Sequence, residues 1–200
     1  VRVDKEDPSF KKPSKPIGPF YTKEEADAEA AKDGSTYVED AGRGYRKVVP
    51  SPMPKEIVEK EAVRALVEAD VLTICSGGGG IPVVAEDGQY VGVEAVNDKD
   101  FSARVLAENV DADRLIILTG VDNIYINYNQ PDQKALEQIS VAEAEEYIKE
   151  GHFAAGSMLP KIEAALDFVK GDDKRKAIIT SIENLENIDK EAGTVISQKG

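Results

Sequence analysis

Apolar positions along this chain recur with two different spacings, and the changes between them mark out its elements. Residues 1–3 read as a short strand, and residues 7–19 as a lysine-rich loop broken by Pro8, Pro13, Pro16 and Pro19. Thr22-Lys23-Glu24-Glu25 is a capping box: the threonine oxygen accepts the amide three residues on, and that glutamate returns to the cap. A helix therefore opens at Thr22 and runs to Gly34. Residues 36–39 and 45–49 look like two short strands around Gly42-Arg43-Gly44. Val58, Ala62, Leu66 and Ala69 share one helical face. Residues 70–75, 114–118 and 176–180 are continuous apolar runs of strand length and are expected to be buried strands. Residues 83–91 fold back about Asp87-Gly88, a two-residue hairpin turn. Helices are expected over 100–109 and 159–169, and a second capping box, Ser140 with Glu143, opens one to Lys149. A helical turn at 182–188 and a strand at 194–196 close the chain. Strands alternating with helices predict an α/β protein, its parallel or mostly parallel sheet covered on both faces.

Composition narrows the class. Two hundred residues fit one domain, or one with a small appendage, and 41% hydrophobic residues exclude wholesale disorder. No run of about 18 apolar residues is present, so no membrane-spanning helix is expected. Residues 1–7 carry no apolar signal region and no initiator Met, so the sequence is expected to begin partway into a longer protein. The net charge of −13 argues against a nucleic-acid partner, because phosphate backbones require a basic face. That charge is unevenly spread: residues 1–60 hold 12 basic and 12 acidic side chains, residues 61–200 hold 13 and 26. Seven of the ten prolines lie in the first 54 residues. The two shifts coincide near Pro50-Ser51-Pro52-Met53-Pro54 and divide the chain into residues 1–50, a small projecting αβ unit, and residues 51–200. A single cysteine, Cys75, excludes an internal disulfide and points to a reducing compartment.

Four places carry candidate chemistry. Ser76 with Gly77, Gly78, Gly79 and Gly80 follows an expected strand, where backbone amides can approach an anion without Cβ interference; a plain tight turn is the alternative. No Gly-Lys-Ser/Thr follows, so this is not a P-loop. Asn97-Asp98-Lys99-Asp100 opens a helix, and an aspartate there either caps the helix or holds lysines by charge-assisted bonds. Lys161, in the first turn of a helix beside Pro160, is set against the helix dipole, which hints at an anion nearby or is a surface lysine. Lys15 stands between Pro13 and Pro16, as part of a stiff structural loop or as a held functional cation. His152 reads as structural at a helix end, and Cys75 as a small core residue. No His/Cys cluster suggests a metal site, and no residue is assigned as a metal ligand.

These motifs also occur in a telling order. Lys15-Pro16-Ile17-Gly18-Pro19-Phe20-Tyr21, Gly44-Tyr45-Arg46-Lys47-Val48-Val49-Pro50-Ser51-Pro52, residues 76–83, Val93-Glu94-Ala95-Val96-Asn97-Asp98-Lys99-Asp100, Leu118-Thr119-Gly120-Val121-Asp122 and residues 156–165 together resemble the carbamate kinases of the amino acid kinase superfamily. The first two stretches are the specific ones; the Asp-Lys-Asp and Pro-Lys features are shared with acetylglutamate and uridylate kinases. The resemblance implies a three-layer αβα sandwich with a projecting subdomain, and a cytoplasmic homodimer. It also implies an enzyme that uses ATP and Mg²⁺ to interconvert carbamate and carbamoyl phosphate, often toward ATP in arginine breakdown. Carried over, Lys161 contacts the transferring phosphoryl group from the nucleotide side and Lys15 from the carbamoyl side. Lys99 neutralises phosphates, Asp100 organises the lysines, and Thr119, Val121, Tyr125 and Met158 lie around the nucleotide. Ser76, Gly77, Gly78 and Gly79 form a phosphate or substrate loop.

Two departures qualify the resemblance. Position 97 is Asn where an aliphatic residue is expected. The family's chain also begins with a strand, a Gly-Gly-Asn-Ala loop and roughly a hundred residues that have no counterpart here, so this chain is expected to be inactive by itself and to expose a sheet edge. Another amino acid kinase with a different acceptor, and a non-catalytic nucleotide-binding fragment, are the competing readings.

Overall fold

The computed structural model describes residues 1–40 and 42–200. In chain order its elements are β1 (Lys15–Tyr21), α1 (Lys23–Asp33), β2 (Thr36–Glu39), β3 (Tyr45–Val49), α2 (Lys60–Glu68), β4 (Val83–Glu86), β5 (Gln89–Gly92), α3 (Lys99–Asn109), β6 (Arg114–Thr119), β7 (Ile124–Ile126), β8 (Lys134–Leu136), β9 (Gln138–Ser140), α4 (Val141–Lys149), α5 (Met158–Lys170), β10 (Lys176–Ser181) and β11 (Thr194–Ser197). The chain divides into two compact units, Val1–Glu59 with Thr73–Ser102, and Lys60–Leu72 with Ala103–Gly200.

In the first unit an antiparallel sheet of order β1-β3-β2 packs against α1. Both halves of the Thr22–Glu25 capping box form, and Gly34 ends α1 in the left-handed region at φ 71°. The stretch expected as a proline loop is in part a strand: β1 pairs with β3 from Lys15↔Val49 to Tyr21↔Tyr45, with a register shift between Ile17 and Tyr21. Pro16 and Pro19 are tolerated because β1 is an edge strand, where a missing N–H need not break a ladder. The hairpin β4–β5 turns at Asp87 and Gly88, both with positive φ (49° and 77°), as a two-residue turn matching the strand twist requires. The strand expected at residues 1–3 reduces to bridges from Arg2 to Glu56 and Val83.

The second unit is built on a sheet of order β6-β10-β11-β9. β10 runs parallel to β6 and antiparallel to β11, and β11 runs parallel to β9, so two of the three pairings are parallel. α5 packs on β6, β10 and β11, and α4 packs on β9 and α5. Phe168, Ile162 and Val169 of α5 are fully buried, with Ala177, Ile179 and Ile196 opposite them in the same core cluster. Burial of each large side chain stabilises by about 1.5–3 kcal/mol before the entropy of ordering it is counted. On the other face Ile178 and Val195 are buried, whereas Ile116 and Leu118 of β6 are 40% and 37% exposed. The 114–118 run is therefore a half-buried edge strand rather than a fully buried one.

Two further expectations fail for one reason: burial depends on neighbours that the local pattern does not contain. Residues 70–75 form no strand; α2 is closed by Asp70 in the left-handed region, and Leu72 and Ile74 beyond it are 96% and 94% exposed. On α2 the buried residue is Val63, and Leu66 of the expected face is exposed. The short strands β7, β8 and β9 were not expected, because three residues are too few to display a period.

Thr194, the first residue of β11, joins two of these strands to its own. Its buried hydroxyl accepts the Ile124 amide of β7 at 2.7 Å and donates to the Leu136 carbonyl of β8. Thr194→Val keeps the shape and leaves both groups unpaired, which costs about 1–3 kcal/mol. The midpoint of thermal unfolding is expected to fall by about 2–4 °C per kcal/mol lost, with Thr194→Ser close to the parent; an unchanged midpoint for the valine variant contradicts this role.

Candidate functional site

In the first unit, three segments meet around the start of α3. The loop between residues 75 and 80 is tightly wound: Gly77 N–H donates to Cys75 O at 2.7 Å and Gly79 N–H to Ser76 O at 2.8 Å. Gly79 has φ 132°, and a Cβ there would lie 2.4 Å from the Asn97 carbonyl oxygen, so only glycine fits. Two side chains fasten the loop: Ser102 Oγ donates to Gly79 O at 2.7 Å, and Asn97 Nδ2 to Gly80 O at 3.2 Å. The aliphatic residue expected at 97 could not do this. Its replacement leaves Asn97 Oδ1 buried without a hydrogen-bond partner among the described residues.

Asp98 and Asp100 are each 7% exposed, and Asp98 is the helix cap. Its Oδ1 accepts the Asp100 amide at 2.9 Å, and its carbonyl accepts the Ser102 amide at 3.0 Å. Its Oδ2 accepts Lys15 Nζ, from β1, 83 residues away in sequence. Burial pushes the Asp98 carboxyl up. The Lys15 bond, the Asp100 amide and the charges of Lys15 and Lys99 outweigh burial and hold it below its ordinary 3.8. Lys99 is largely exposed, its Nζ 3.9 Å from Asp100 Oδ2. Lys15, Lys99, Asp100 and the Ser76–Gly79 loop thus all lie in this unit, on β1, at the start of α3 and ahead of β4. The capping and lysine-holding readings of the aspartates are not alternatives, since Asp98 does both. Cys75 is a partly buried free thiol and not the end of a buried strand.

In the second unit a cavity of about 610 Å³ opens at the carboxyl end of β6. Thr119, Val121, Tyr125 and Met158 all line it, and Tyr128, Asn127 and Phe153 add to its walls. The Tyr125 and Tyr128 rings lie 5.9 Å apart, tilted by 47°. Such a space, mostly apolar and aromatic with a few polar groups, suits a small planar ligand. Lys161 stands in the first turn of α5, three residues beyond Met158 and therefore on the same helical side.

His152, expected to be only structural, also lines this cavity. Its Nδ1 accepts the Asn127 amide at 3.5 Å, its Nε2 lies 3.0 Å from Glu150, and its ring meets Tyr147 edge-on. A lone histidine after a helix-ending glycine carries no sequence signal for that position. An aspartate at this helix start is expected to hold lysines, with the role given to Asp100; that Asp98 takes Lys15 is visible only in the fold. Among the described residues no three His, Cys, Asp or Glu side chains converge on a metal position, and no helix is long and apolar enough to cross a membrane.

Comparison with known proteins follows the same lines. The sequence model of the amino acid kinase family matches residues 22–181. The carbamate kinase of Lentilactobacillus hilgardii is 55% identical over 201 residues, which is all of this chain and 63% of that protein. The structure of carbamate kinase from Giardia lamblia bound to citric acid superposes with a TM-score of 0.90 at 43% identity, covering 98% of this chain and 62% of that one. Its complex with AMP-PNP superposes at 0.83 with 46% identity, covering 98% and 63%. The chain therefore spans less than two thirds of the length of these relatives.

Two measurements check the geometry of the first unit. Gly79→Ala is expected to destabilise by about 1–3 kcal/mol, because the loop and Asn97 must separate; denaturant unfolding with an unchanged midpoint refutes the close approach. Asp98 binds protons more weakly folded than unfolded, so its contribution is full above 3.8 and is lost as pH falls through the lower folded value. Between about pH 5 and about pH 2, stability should therefore fall less steeply in Asp98→Asn than in the parent. Parallel curves contradict the depressed carboxyl.

Proposed function

The chain belongs to the amino acid kinase family, and from that premise we propose that the protein carrying it is a carbamate kinase, moving a phosphoryl group reversibly between ATP and carbamate. The observation that carries this reading is Lys15. It lies on the edge strand of the small sheet, within the Lys-Pro-Ile-Gly-Pro-Phe-Tyr stretch characteristic of carbamate kinases, and is held beside the start of α3. Identities of 55% and 46% to relatives named carbamate kinase support the same conclusion.

In this proposal the lysines do the electrostatic work. Phosphoryl transfer depends on positioning and on neutralising charge at the equatorial oxygens, with little covalent help from the protein. Lys161 serves the transferring group from the nucleotide side, Lys15 from the carbamoyl side, and Lys99 neutralises phosphates. Asp100, buried beside Lys99, keeps that ammonium in place. The loop of Ser76, Gly77, Gly78 and Gly79 serves the substrate anion through the amides of Ser76 and Gly78, those of Gly77 and Gly79 being bonded within the loop. The adenine ring occupies the cavity lined by Thr119, Val121, Tyr125 and Met158; the Giardia lamblia relative was solved with AMP-PNP. Mg²⁺ belongs to the proposal as the ion carried on the nucleotide phosphates. ATP supply from arginine breakdown, a homodimer and a cytoplasmic setting complete it. For the isolated 200 residues the expectation is no turnover.

A coupled assay of ATP formation from carbamoyl phosphate and ADP, run on the protein that carries this chain, tests the roles. Lys15→Ala and Lys161→Ala are each expected to lower kcat by about 100-fold or more, the usual cost of a lost transition-state donor. Near-normal turnover by Lys15→Ala removes Lys15 from the reaction, and a parent that forms no ATP from carbamoyl phosphate but phosphorylates an amino acid is an amino acid kinase with another acceptor. Nucleotide binding without any turnover in the parent points to a non-catalytic module.

A further inference from the structure

We propose that Asp98 is the positioning residue for Lys15, setting that ammonium before any substrate arrives and tying the β1 edge of the small sheet to the start of α3. Three observations carry the inference. First, the Asp98 side chain is only 9% exposed, and its two oxygens are divided between two tasks. One takes the Asp100 amide, which fixes the carboxylate to the helix; the other takes Lys15 Nζ. A carboxylate anchored by its own helix has little freedom to follow the lysine, so the lysine must follow it. Second, an ammonium has three donors. One is spent on Asp98, leaving two for the oxygens of an anionic substrate, and the long side chain has already lost the rotamer freedom that binding would otherwise remove. Third, β1 is poorly held by its own ladder. It has one neighbour, two prolines without amides, and a register shift between Ile17 and Tyr21. The Lys15–Asp98 pair stands at the start of that strand and supplies the attachment that the ladder lacks. Lys99 and Asp100, 3.9 Å apart on the first turn of α3, add charge at this place.

The kinetic arm of this inference rests on the carbamate kinase reading; the structural arm does not. The test is a double-mutant cycle on the protein that carries this chain, using Asp98→Asn, Lys15→Ala and both together. Asparagine keeps an oxygen for the Asp100 amide but has no charge for Lys15, and Lys15→Ala breaks the same pair without touching the cap. Amide hydrogen exchange of β1 is read alongside kcat/KM for carbamoyl phosphate. Each single change is expected to speed exchange in β1. Asp98→Asn should lower kcat/KM by about tenfold, the scale of coupling between residues in direct contact, and the double variant should be no worse than Lys15→Ala. A residue that merely stabilises the fold would add its loss to that of Lys15→Ala. Additive losses, or β1 exchange unchanged in Asp98→Asn, overturn the proposal. If the parent makes no ATP, the carbamate kinase reading fails and the exchange cycle still decides the role of Asp98.

Discussion

A carboxylate buried as deeply as that of Asp98 costs several kcal/mol unless donors reach it, and the arrangement of the first unit follows from how they do. The Asp100 amide can serve it only if α3 begins where it does, so the cap fixes the first turn and the orientation of Lys99, Asp100 and Ser102. Lys15 can serve it only if β1 lies against this helix start, which holds the small sheet in place. Ser102 then reaches the Gly79 carbonyl, and the approach of Gly79 to Asn97 leaves no room for a side chain. A lysine, a helix start and a glycine loop are thus organised around one charge that has to be paired.

The second unit meets a different requirement. Its sheet buries both faces of β10, and α5 supplies most of the apolar cover, so the carboxyl end of β6 and the first turn of α5 are held rigidly. A cavity at the carboxyl ends of strands is where open α/β sheets hold ligands, and rigid walls give such a cavity a defined shape. Thr194 adds polar joints where β7 and β8 would otherwise be loosely attached short strands. The protein's surplus of negative charge lies after residue 60, whereas the lysines assigned to the anionic substrate come from both sides of that point.

What could be read from the sequence was whatever its own neighbours determine. Both capping boxes, the Asp87-Gly88 turn and the helices opening at Lys99 and near Leu159 are set by residues within a few positions of one another, and all appear as expected. Burial is not local. The 70–75 run has the composition of a core strand yet forms no strand, and the 114–118 run is an edge. The Lys15–Tyr21 stretch reads as a loop because its prolines forbid an inner strand, though not an outer one. In the candidate site, the ordered motifs pointed to the lysines and to four residues that prove to share one cavity. Which aspartate takes Lys15, the double fastening of the glycine loop and the place of His152 are products of tertiary contact, and no spacing encodes them.

The central claim is that the anion handled at Lys15 is carbamoyl phosphate and that its phosphoryl group goes to ADP. Phosphorus NMR of carbamoyl phosphate mixed with ADP, Mg²⁺ and the protein that carries this chain observes that transfer directly. The account predicts that the γ-phosphate resonance of ATP grows as the carbamoyl phosphate signal declines, beyond its spontaneous decay. Carbamoyl phosphate lost only to inorganic phosphate, with no ATP signal, would contradict it.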